Sequence, residues 1–359
     1  MKITIAGGGN IGTQFMVHCA EKGHDVVAYT SRPELFSTDL NIVDEFGKTT
    51  HKGKIRKATS DPNEALSDAE LIIVAMPSTM VPKVAVPIFN FGNSKSLICV
   101  APGSGGCECA FAKCIERGNV LFALERVPSV ARLVEKGKTV KCTGYRNELH
   151  VASIPSKFSE ECSLLIESFF DIKCKPIPNF MNITLTPSNP ILHTTRLRTI
   201  FKDYRPGLVY ERLPLFYEEW DDESSNLLIL CDEEVQEICR MMPDFNLVYV
   251  RSLKDHYESQ TVEAMTRKIS SIPSFKGLTT PSVEVEGGFI PDLYSRYFTA
   301  DFSYGLTIIK QVAKFANVET PNIDATMEWY NNISIDHERF KYSDYGILTR
   351  EDLEKFYLR

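Results

Sequence analysis

A glycine-rich turn at the start of the chain constrains the fold more than any other feature. The apolar stretch 3–6 runs directly into GGGNIG at residues 7–12, and an apolar-periodic segment follows. A strand that passes through G-x-G-x-x-G into a helix is the context in which such glycines bind a dinucleotide. Gly7 permits the tight turn, Gly9 leaves room for a pyrophosphate, and Gly12 lets the helix pack closely on the strand. The phosphates would lie at the positive end of the helix. The predicted cofactor contacts in this turn are Gly7, Gly9, Asn10, Ile11 and Gly12.

The composition is that of an ordinary globular protein. The chain has 359 residues, enough for two domains, of which 43% are hydrophobic and 24% are charged. The net charge of −7 and the lack of a basic stretch argue against a nucleic-acid partner. No apolar run reaches the ~18 residues of a membrane span, and the N-terminal strand leaves no room for a signal peptide. We therefore expect a cytoplasmic protein without a membrane or nucleic-acid partner.

The ten cysteines form no C-x-x-C pair. Their one cluster, Cys107, Cys109 and Cys114, has no histidine near it in the sequence. Packed, reduced thiols are therefore favoured over a zinc site. Free thiols agree with a cytosolic compartment, and no metal site is predicted.

The first ~175 residues alternate between strand-like and helix-like segments, which is the pattern of a parallel sheet. Further apolar strand-like runs lie at residues 26–29, 70–75, 95–100 and 119–124. A proline-rich passage at 175–190 marks a domain boundary. Beyond it, segments such as 233–241 and 304–316 are helix-periodic. The sequence predicts an α/β fold in which a doubly wound, mainly parallel sheet domain (1–180) precedes a mainly α-helical domain (181–359).

Two predicted strands end in loops suited to ligand contact. Pro77 follows the run at 70–75, and Pro102 and Gly103 follow the run at 95–100. Ligands of such sheets bind beyond the carboxyl ends of the strands, so these three residues are predicted cofactor contacts. The alternative is that both loops are ordinary turns.

The residues after the second strand indicate which nucleotide is bound. NAD sites carry an acid here for the ribose 2′-hydroxyl, whereas NADP sites carry groups that bind a 2′-phosphate. The strand is followed by Thr30, Ser31 and Arg32, and Glu34 comes only after a proline. The hydroxyl groups can donate to phosphate oxygens and the guanidinium can pair with them, so NADP(H) is favoured over NAD(H). If Arg32 only covers the adenine, the preference is mixed.

One of the seven histidines stands out by its position just past the domain boundary. Asn189 followed by Pro190 is typical of a helix N-cap with proline at the first helical position. His193 would then lie one turn into the helix, on the side of Asn189. Isolated histidines are usually structural, and this alternative stays open beside a catalytic role.

A second group of candidate residues lies at 295–306. Asp301 precedes an apolar helix, and Arg296 lies five residues before it. In one interpretation Asp301 is an N-cap and Arg296 a surface residue. In the other, Asp301 orients a histidine and Arg296 binds a substrate carboxylate.

These features resemble the opine dehydrogenases, the group that includes octopine, nopaline and N-(1-carboxyethyl)-norvaline dehydrogenases. The resemblance covers most of the chain: a glycine-rich Rossmann domain, a P-G-x-G-G loop at residues 102–106, and a helical domain. Its motifs are Asn189-x-x-x-His193, RYFTADxxxGL at 296–306, and NVETPNIDA at 317–325. It implies an NAD(P)H-dependent reductive condensation of an amino acid with a 2-oxo acid such as pyruvate, through an imine.

The family also implies residue roles. By resemblance His193 is the acid and base, Asp301 is its partner, and Arg296 binds a substrate carboxylate, to which Asn189 would add a hydrogen bond. Thr194 departs from relatives that have proline after the histidine, and residues 210–244 do not align clearly. That segment would line the amino-acid pocket, so the identity of the amine donor stays open. The expected partners are an amino acid and a 2-oxo acid, with a homodimer left open.

Two alternatives remain at this point. Ketopantoate reductases and polyol-phosphate dehydrogenases share the two-domain layout, but they typically use a lysine at the start of the helical domain. Residues 179–201 contain no lysine, and Lys202 is the next one. A non-catalytic dinucleotide-binding protein would keep the glycines without needing His193, Arg296 and Asp301.

Overall fold

The computed structural model describes residues 1–103, 105–186, 188–334 and 338–359. The chain forms two compact units: Met1–Thr184 with Leu353–Arg359, and Leu185–Asp352. The division predicted at residues 180 and 181 had assigned the C-terminal segment to the second domain, whereas it packs with the first unit. Ser104 of the predicted loop and Pro187 of the proline-rich passage lie outside the described residues.

The first unit is built on a mainly parallel sheet. Its strands are β1 (Lys2–Ala6), β2 (Asp25–Tyr29), β3 (Asp39–Val43), β4 (Thr49–Lys54), β5 (Lys57–Thr59), β6 (Leu71–Val74), β7 (Leu97–Val100), β8 (Leu121–Leu124), β9 (Val130–Glu135), β10 (Thr139–Thr143), β11 (Glu148–Ile154) and β12 (Lys173–Pro176). Eight of them form one sheet in the order β12-β11-β8-β7-β6-β1-β2-β5. Among these described strands every neighbouring pair is parallel except β8 and β11. The predicted sheet is confirmed.

The apolar runs predicted as strands are buried because both faces of a parallel sheet are covered. Ile3, Ile5 and Ile73 are 1% exposed or less. The helices of this unit are α1 (Asn10–Glu21), α2 (Pro62–Leu66), α3 (Val81–Phe91), α4 (Cys107–Ala110), α5 (Ala112–Arg117) and α6 (Ser159–Phe170), and α7 (Met181–Leu185) lies at the boundary. The apolar side of α1 packs into the same core through Phe15 and Cys19.

A second sheet in this unit, in the order β4-β3-β10-β9, is absent from the sequence-based prediction. Its outer strand β4 is polar and mostly exposed, so it lacks the apolar alternation by which strands are recognised. Gly53 of this strand lies directly against α1, since a Cβ there would be 2.6 Å from the carbonyl oxygen of Val17. The small sheet is therefore held against the first helix of the chain.

The second unit is mainly helical, as predicted. Its helices are α8 (Ser188–Ile200), α9 (Asp222–Arg240), α10 (Leu253–His256), α11 (Val262–Ser271), α12 (Arg296–Thr299), α13 (Thr307–Ala316) and α14 (Pro321–Ile333), and α15 (Arg350–Tyr357) lies at the second boundary. A π-helix at Asp301–Leu306 connects α12 to α13, and a hairpin consists of β13 (Ser282–Val285) and β14 (Gly288–Pro291). None of the described helices is long and apolar enough to cross a membrane.

Candidate active site

The glycine turn has the geometry that a dinucleotide needs. Gly7 has φ +115°, and a Cβ there would lie 2.6 Å from the carbonyl oxygen of Ala75. At Gly12 a Cβ would lie 1.8 Å from the carbonyl oxygen of Gly7. Gly9 is exposed, and no described atom lies within 4 Å of the position of its Cβ. The first and last glycines shape the turn, and the middle one leaves open space at the N-terminus of α1, which fits a pyrophosphate.

The other two predicted contacts in the turn are engaged with the protein. The Asn10 side-chain oxygen accepts a hydrogen bond from the backbone N–H of Leu133 at 2.8 Å, which ties the start of α1 to β9. Ile11 is partly buried and packs against the core of the first unit. Both residues would therefore contact a nucleotide through their backbone N–H groups, which are free at a helix N-terminus. A Cβ on Gly8 would meet the Phe36 ring at 2.3 Å, a contact that the sequence motif does not indicate.

The residues after β2 agree with a phosphate-binding role. Ser31 and Arg32 are exposed, and the Thr30 hydroxyl oxygen accepts a hydrogen bond from the backbone N–H of Arg32 at 3.4 Å. Within the described part of the chain, the Arg32 guanidinium group makes no hydrogen bond or ion pair. An exposed cation near the end of β2 is therefore available to a ligand.

The predicted cofactor contacts in the two strand-end loops differ in their exposure to solvent. Pro77 is exposed after β6, as a ligand contact would be. Pro102 is half-buried, and Gly103 is buried with its backbone N–H donating to the carbonyl oxygen of Leu124 at 2.9 Å. A Cβ on Gly103 would lie 2.2 Å from that of Ala123. Packing against β8 is thus a sufficient reason for glycine at this position.

In the second unit, His193 lies on α8 between two polar partners. Its Nδ1 atom is 2.7 Å from Oδ2 of Asp301, and its Nε2 atom is 2.7 Å from the hydroxyl oxygen of Tyr217. The imidazole is 4% exposed, and the Tyr297 ring lies 4.5 Å from it between centroids. This geometry suits Nδ1–H donating to the carboxylate while Nε2 accepts the tyrosine proton. The predicted histidine and aspartate are therefore in hydrogen-bond contact.

Close helix packing brings these two side chains together. A Cβ on Gly305 would lie 2.5 Å from the ring of Pro190, so the π-helix approaches α8 directly. Asp301 and Gly305 share one face at i, i+4 spacing, as Pro190 and His193 do at i, i+3 spacing. The prediction of Asn189 as N-cap is wrong, because α8 begins at Ser188 and Asn189 is already its second residue. Single π-turns inside helices are frequent at functional sites.

Tyr217 and the residue that holds its segment were not predicted. Arg196 is fully buried one turn beyond His193, and its guanidinium group donates to the carbonyl oxygens of Phe216 (3.0 Å) and Glu219. It also donates to Oδ2 of Asp221 at 2.6 Å. The Tyr217 ring stacks on that of Phe275 at 4.1 Å. Burial raises the pKa of Tyr217 well above its usual range, so its hydroxyl group is neutral.

The two predicted substrate contacts are exposed. Arg296 begins α12, and its guanidinium carbon lies 5.9 Å from the centroid of the Tyr297 ring, which in turn contacts His193. Within the described residues this guanidinium group makes no ion pair. Asn189 is exposed in the first turn of α8, one turn before His193. A cation and an amide are thus presented near the buried histidine.

Two family models and several curated relatives match this chain. Residues 176–334 match the family model for the NAD/NADP octopine/nopaline dehydrogenase α-helical domain. Residues 2–124 match that for the NAD-dependent glycerol-3-phosphate dehydrogenase N-terminus. An opine dehydrogenase of Haliotis discus hannai is 27% identical over 77% of this chain and 73% of its own. An octopine dehydrogenase of Pecten maximus is 24% identical over 79% and 74%.

Solved structures show the same fold. Octopine dehydrogenase with NADH and L-arginine superposes with a TM-score of 0.85 at 21% identity, over 98% of this chain and 97% of that one. A ketopantoate reductase from Ralstonia eutropha JMP134 has a TM-score of 0.60 at 14% identity, over 92% and 97%. The fold and the family matches define an NAD(P)-dependent oxidoreductase that acts on CH–NH bonds. Within that class, the chain is similar to the opine dehydrogenases, through the match of residues 176–334 and through relatives that are 25% and 27% identical.

Proposed function

We propose that this enzyme condenses the α-amine of an amino acid with a 2-oxo acid such as pyruvate, reduces the resulting imine, and catalyses the reverse oxidation. The contact between His193 and Asp301 is the observation that carries this assignment. Related octopine dehydrogenase has been solved with NADH together with L-arginine, agmatine or pyruvate. A bound nicotinamide supplies the hydride.

His193 is the group that moves protons in this proposal. Condensation requires a proton to leave the amine and another to accompany the departing water, and an imidazole can both accept and donate a proton. Asp301 holds the proton of the resting imidazole on Nδ1 and stabilises the imidazolium ion that forms. Nε2 is then the atom that exchanges protons, and Tyr217 is hydrogen-bonded to it.

Tyr217 acts in this proposal as a relay between Nε2 and the substrate. Its neutral hydroxyl group can donate to one atom while it accepts from another, so a proton passes in either direction without leaving a charge on the ring. Its stack on Phe275 and the attachment of its segment to Arg196 oppose a movement away from His193. The Tyr217→Phe variant should lower kcat and change its pH profile. An unchanged pH profile with undiminished kcat would contradict the role of Tyr217 as a proton relay.

The exposed side chains suit substrate binding. Both the 2-oxo acid and the amino acid carry a carboxylate, and Arg296 can pair with one of them in a bidentate manner. Asn189 can add a hydrogen bond. In this proposal the first unit binds the dinucleotide and the second unit binds the substrates.

The activity is tested by following cofactor oxidation with pyruvate alone and with pyruvate plus a mixture of amino acids. We expect consumption only when an amine is present. The His193→Ala variant should lower turnover by about 10²–10⁴-fold, the usual contribution of a general acid and base. His256→Ala, at an exposed position of the same unit, is the control and should retain turnover. Consumption without an amine would instead indicate a 2-oxo-acid reductase.

We further propose a preference for NADP(H) over NAD(H). The support is the exposed Arg32 guanidinium group and the lack of an acid directly after β2. Related structures hold either nucleotide, NADH in octopine dehydrogenase and NADP⁺ in yersinopine dehydrogenase. The Arg32→Glu variant should reduce kcat/KM with NADPH by at least about tenfold relative to NADH, because it replaces a phosphate-binding cation with an acid. A wild-type enzyme that favours NADH would refute the preference.

Two expectations concern the setting of the enzyme. The ten cysteines are free thiols, which agrees with a reducing compartment such as the cytoplasm. A homodimer stays open as the oligomeric state, and light scattering on the purified protein measures it directly.

A further inference from the structure

Three potential metal ligands meet on the first unit, apart from the residues proposed for catalysis. His18 and Glu21 lie on α1, and His51 lies on β4. One ligand atom from each of the three lies within 4.8 Å of the other two. Nδ1 of His51 is 2.7 Å from Oε2 of Glu21, and the two imidazole rings are 4.6 Å apart between centroids. Two imidazoles and one carboxylate are a common ligand set for transition metals.

The local sequence explains why these side chains converge. His18 and Glu21 are three residues apart on a helix and therefore lie on one face. Gly53 allows β4 to lie directly on that helix, since a Cβ there would be 3.0 Å from the Cβ of Ala20. His51 is two residues before Gly53 and shares its face of the strand. The close approach of strand and helix thus delivers the third side chain to the other two.

The surroundings leave room for an ion and its water ligands. The three side chains line a pocket of about 450 Å³ that also includes Tyr145 and Phe170. His18 is 3% exposed, so its imidazole is held within the protein rather than in solvent. Its Nε2 atom is 3.1 Å from the Tyr145 hydroxyl oxygen. Outer hydrogen bonds of this kind fix the ring orientation of metal-binding histidines.

The Lys22 ammonium group is a cation that lies beside the three potential ligands. Lys22 follows Glu21 and would repel a metal ion, but its ammonium group is paired with Asp171 at 2.7 Å. The ammonium charge is therefore offset locally. Glu21 also accepts a hydrogen bond from the backbone N–H of Lys52 at 3.3 Å, which directs its carboxylate towards β4.

We propose that His18, Glu21 and His51 bind one Zn²⁺ ion or a similar divalent transition metal, with water as a further ligand. Zinc lies about 2.0–2.2 Å from nitrogen and oxygen ligands, so tetrahedral ligand atoms are about 3.4 Å apart. His51 and Glu21 would separate slightly to admit the ion, which replaces the proton they share. His18 would complete the set by a small approach. The ion would link α1 to the second sheet and stabilise the first unit.

The experiment uses the full chain without a histidine tag, freed of metal with a chelator. Titration with ZnCl₂ in a calorimeter should show one ion bound per chain, and zinc should raise the melting temperature, because a ligand that binds the native state stabilises it. Glu21→Gln and His51→Gln should each weaken zinc binding by at least about tenfold. Co²⁺ should give the d–d absorption of a tetrahedral site without a thiolate charge-transfer band, which excludes the cysteines.

His150→Gln is the matched control, because His150 is also paired with a glutamate, at 2.5 Å from Glu125, but lies outside the cluster. It should bind zinc as the wild type does. Unchanged melting temperatures of the metal-free variants establish that Glu21→Gln and His51→Gln are folded. The proposal is overturned if the wild type binds no zinc, or if folded Glu21→Gln and His51→Gln bind it with wild-type affinity. Neither result bears on the amine-dependent activity, which needs no metal in the proposal above.

Discussion

The glycine turn of the first unit and the histidine site of the second are built by opposite means. The glycine turn at residues 7–12 depends on the absence of side chains. A side chain at Gly12 would collide with the carbonyl oxygen of Gly7, and a side chain at Gly9 would fill the open space at the N-terminus of α1. The histidine site depends on side chains from three distant segments, His193, Tyr217 and Asp301. A site made of backbone is apparent from six consecutive residues, whereas a site made of side-chain contacts appears only when the chain has folded.

The largest effect is expected at the glycine turn. Two alanine variants there distinguish a glycine required for packing of the turn from a glycine required for space for the cofactor. Gly12→Ala places a Cβ 1.8 Å from a backbone oxygen that cannot move without opening the turn, so we expect loss of cofactor binding together with a lower melting temperature. Gly9→Ala meets no described atom within 4 Å, so it should fold normally and lose only cofactor affinity. Fluorescence titration with NADPH and thermal melts of both variants measure this. Equal melting temperatures would contradict the distinction.

Substitution of Asp301 tests whether its hydrogen bond with His193 contributes to catalysis. Asp301→Asn keeps the shape of the side chain, but its amide can donate to Nδ1 and so favours the tautomer with the proton on Nε2. We expect kcat to fall by about 10²–10⁴-fold with a normal melting temperature, because the imidazolium ion also loses its counter-charge. Steady-state kinetics with the amine and oxo-acid pair measure the loss.

Asp324→Asn is a control for that substitution, since this exposed carboxylate of the same unit pairs with Lys310 at the surface. Its kcat should stay near the wild-type value. An Asp301→Asn enzyme of undiminished kcat would show that the contact with His193 is only structural.

The contrast between the two sites also explains what could be predicted. The strands at the centre of the parallel sheet were predicted because they are continuous apolar runs, and Asp301 was placed with His193 through a family resemblance. β4, by contrast, has the sequence TTHKGK, whose polar residues show no apolar alternation. It is held by packing of Gly53 against α1, a tertiary contact with no local signal.

Tyr217 was missed for a related reason. It lies 24 residues after His193, and nothing in its neighbourhood distinguishes it from the other thirteen tyrosines. Its position depends on Arg196, whose buried guanidinium group binds the carbonyl oxygens on both sides of it in the sequence. A buried arginine is the one signal that could have been sought, but burial is known only from the folded structure.

The Arg196→Lys variant tests this dependence and should have a smaller effect than the two preceding changes. Lysine keeps the charge but cannot reproduce the donors that reach Phe216, Glu219 and Asp221 in a fixed plane. We expect a loss of about 2–4 kcal/mol in the free energy of unfolding and a reduced kcat, because buried carbonyl groups are left unsatisfied and Tyr217 loses its support. Urea denaturation measures the first and kinetics the second.

Arg198→Lys provides the comparison on the same helix. Arg198 is only partly buried and donates to the Thr326 hydroxyl group at 2.9 Å, so its replacement should cost less than about 1 kcal/mol and leave kcat intact. If both variants lost the same stability, the segment around Tyr217 would not depend on Arg196.

The smallest effect is expected at a buried carboxylate on α9. Asp301 is hydrogen-bonded to a histidine, whereas this carboxylate is hydrogen-bonded to a backbone N–H group. Asp232 on α9 is 5% exposed and accepts a hydrogen bond from the backbone N–H of Leu253 at 2.7 Å. Burial raises the pKa of Asp232 to about 6, above its value of about 3.9 in the unfolded chain. Between these values the unfolded state is ionised while the folded state holds its proton. The contribution to stability is therefore full below about pH 4 and is lost as the pH rises through about 6.

Asp232→Asn removes this ionisation and keeps an acceptor for Leu253. We expect the free energy of unfolding of the variant to exceed that of the wild type by about 1–2 kcal/mol at about pH 8. This gain would be larger if the charge-assisted hydrogen bond to Leu253 were not lost at the same time. At about pH 4.5 the gain should be much smaller, because the folded wild type then holds its proton on Asp232. Urea denaturation at the two pH values measures the difference. A gain independent of pH would mean that Asp232 titrates normally. A loss at both values would mean that the charge of Asp232, like that of Asp301, is stabilised by its surroundings in the folded protein.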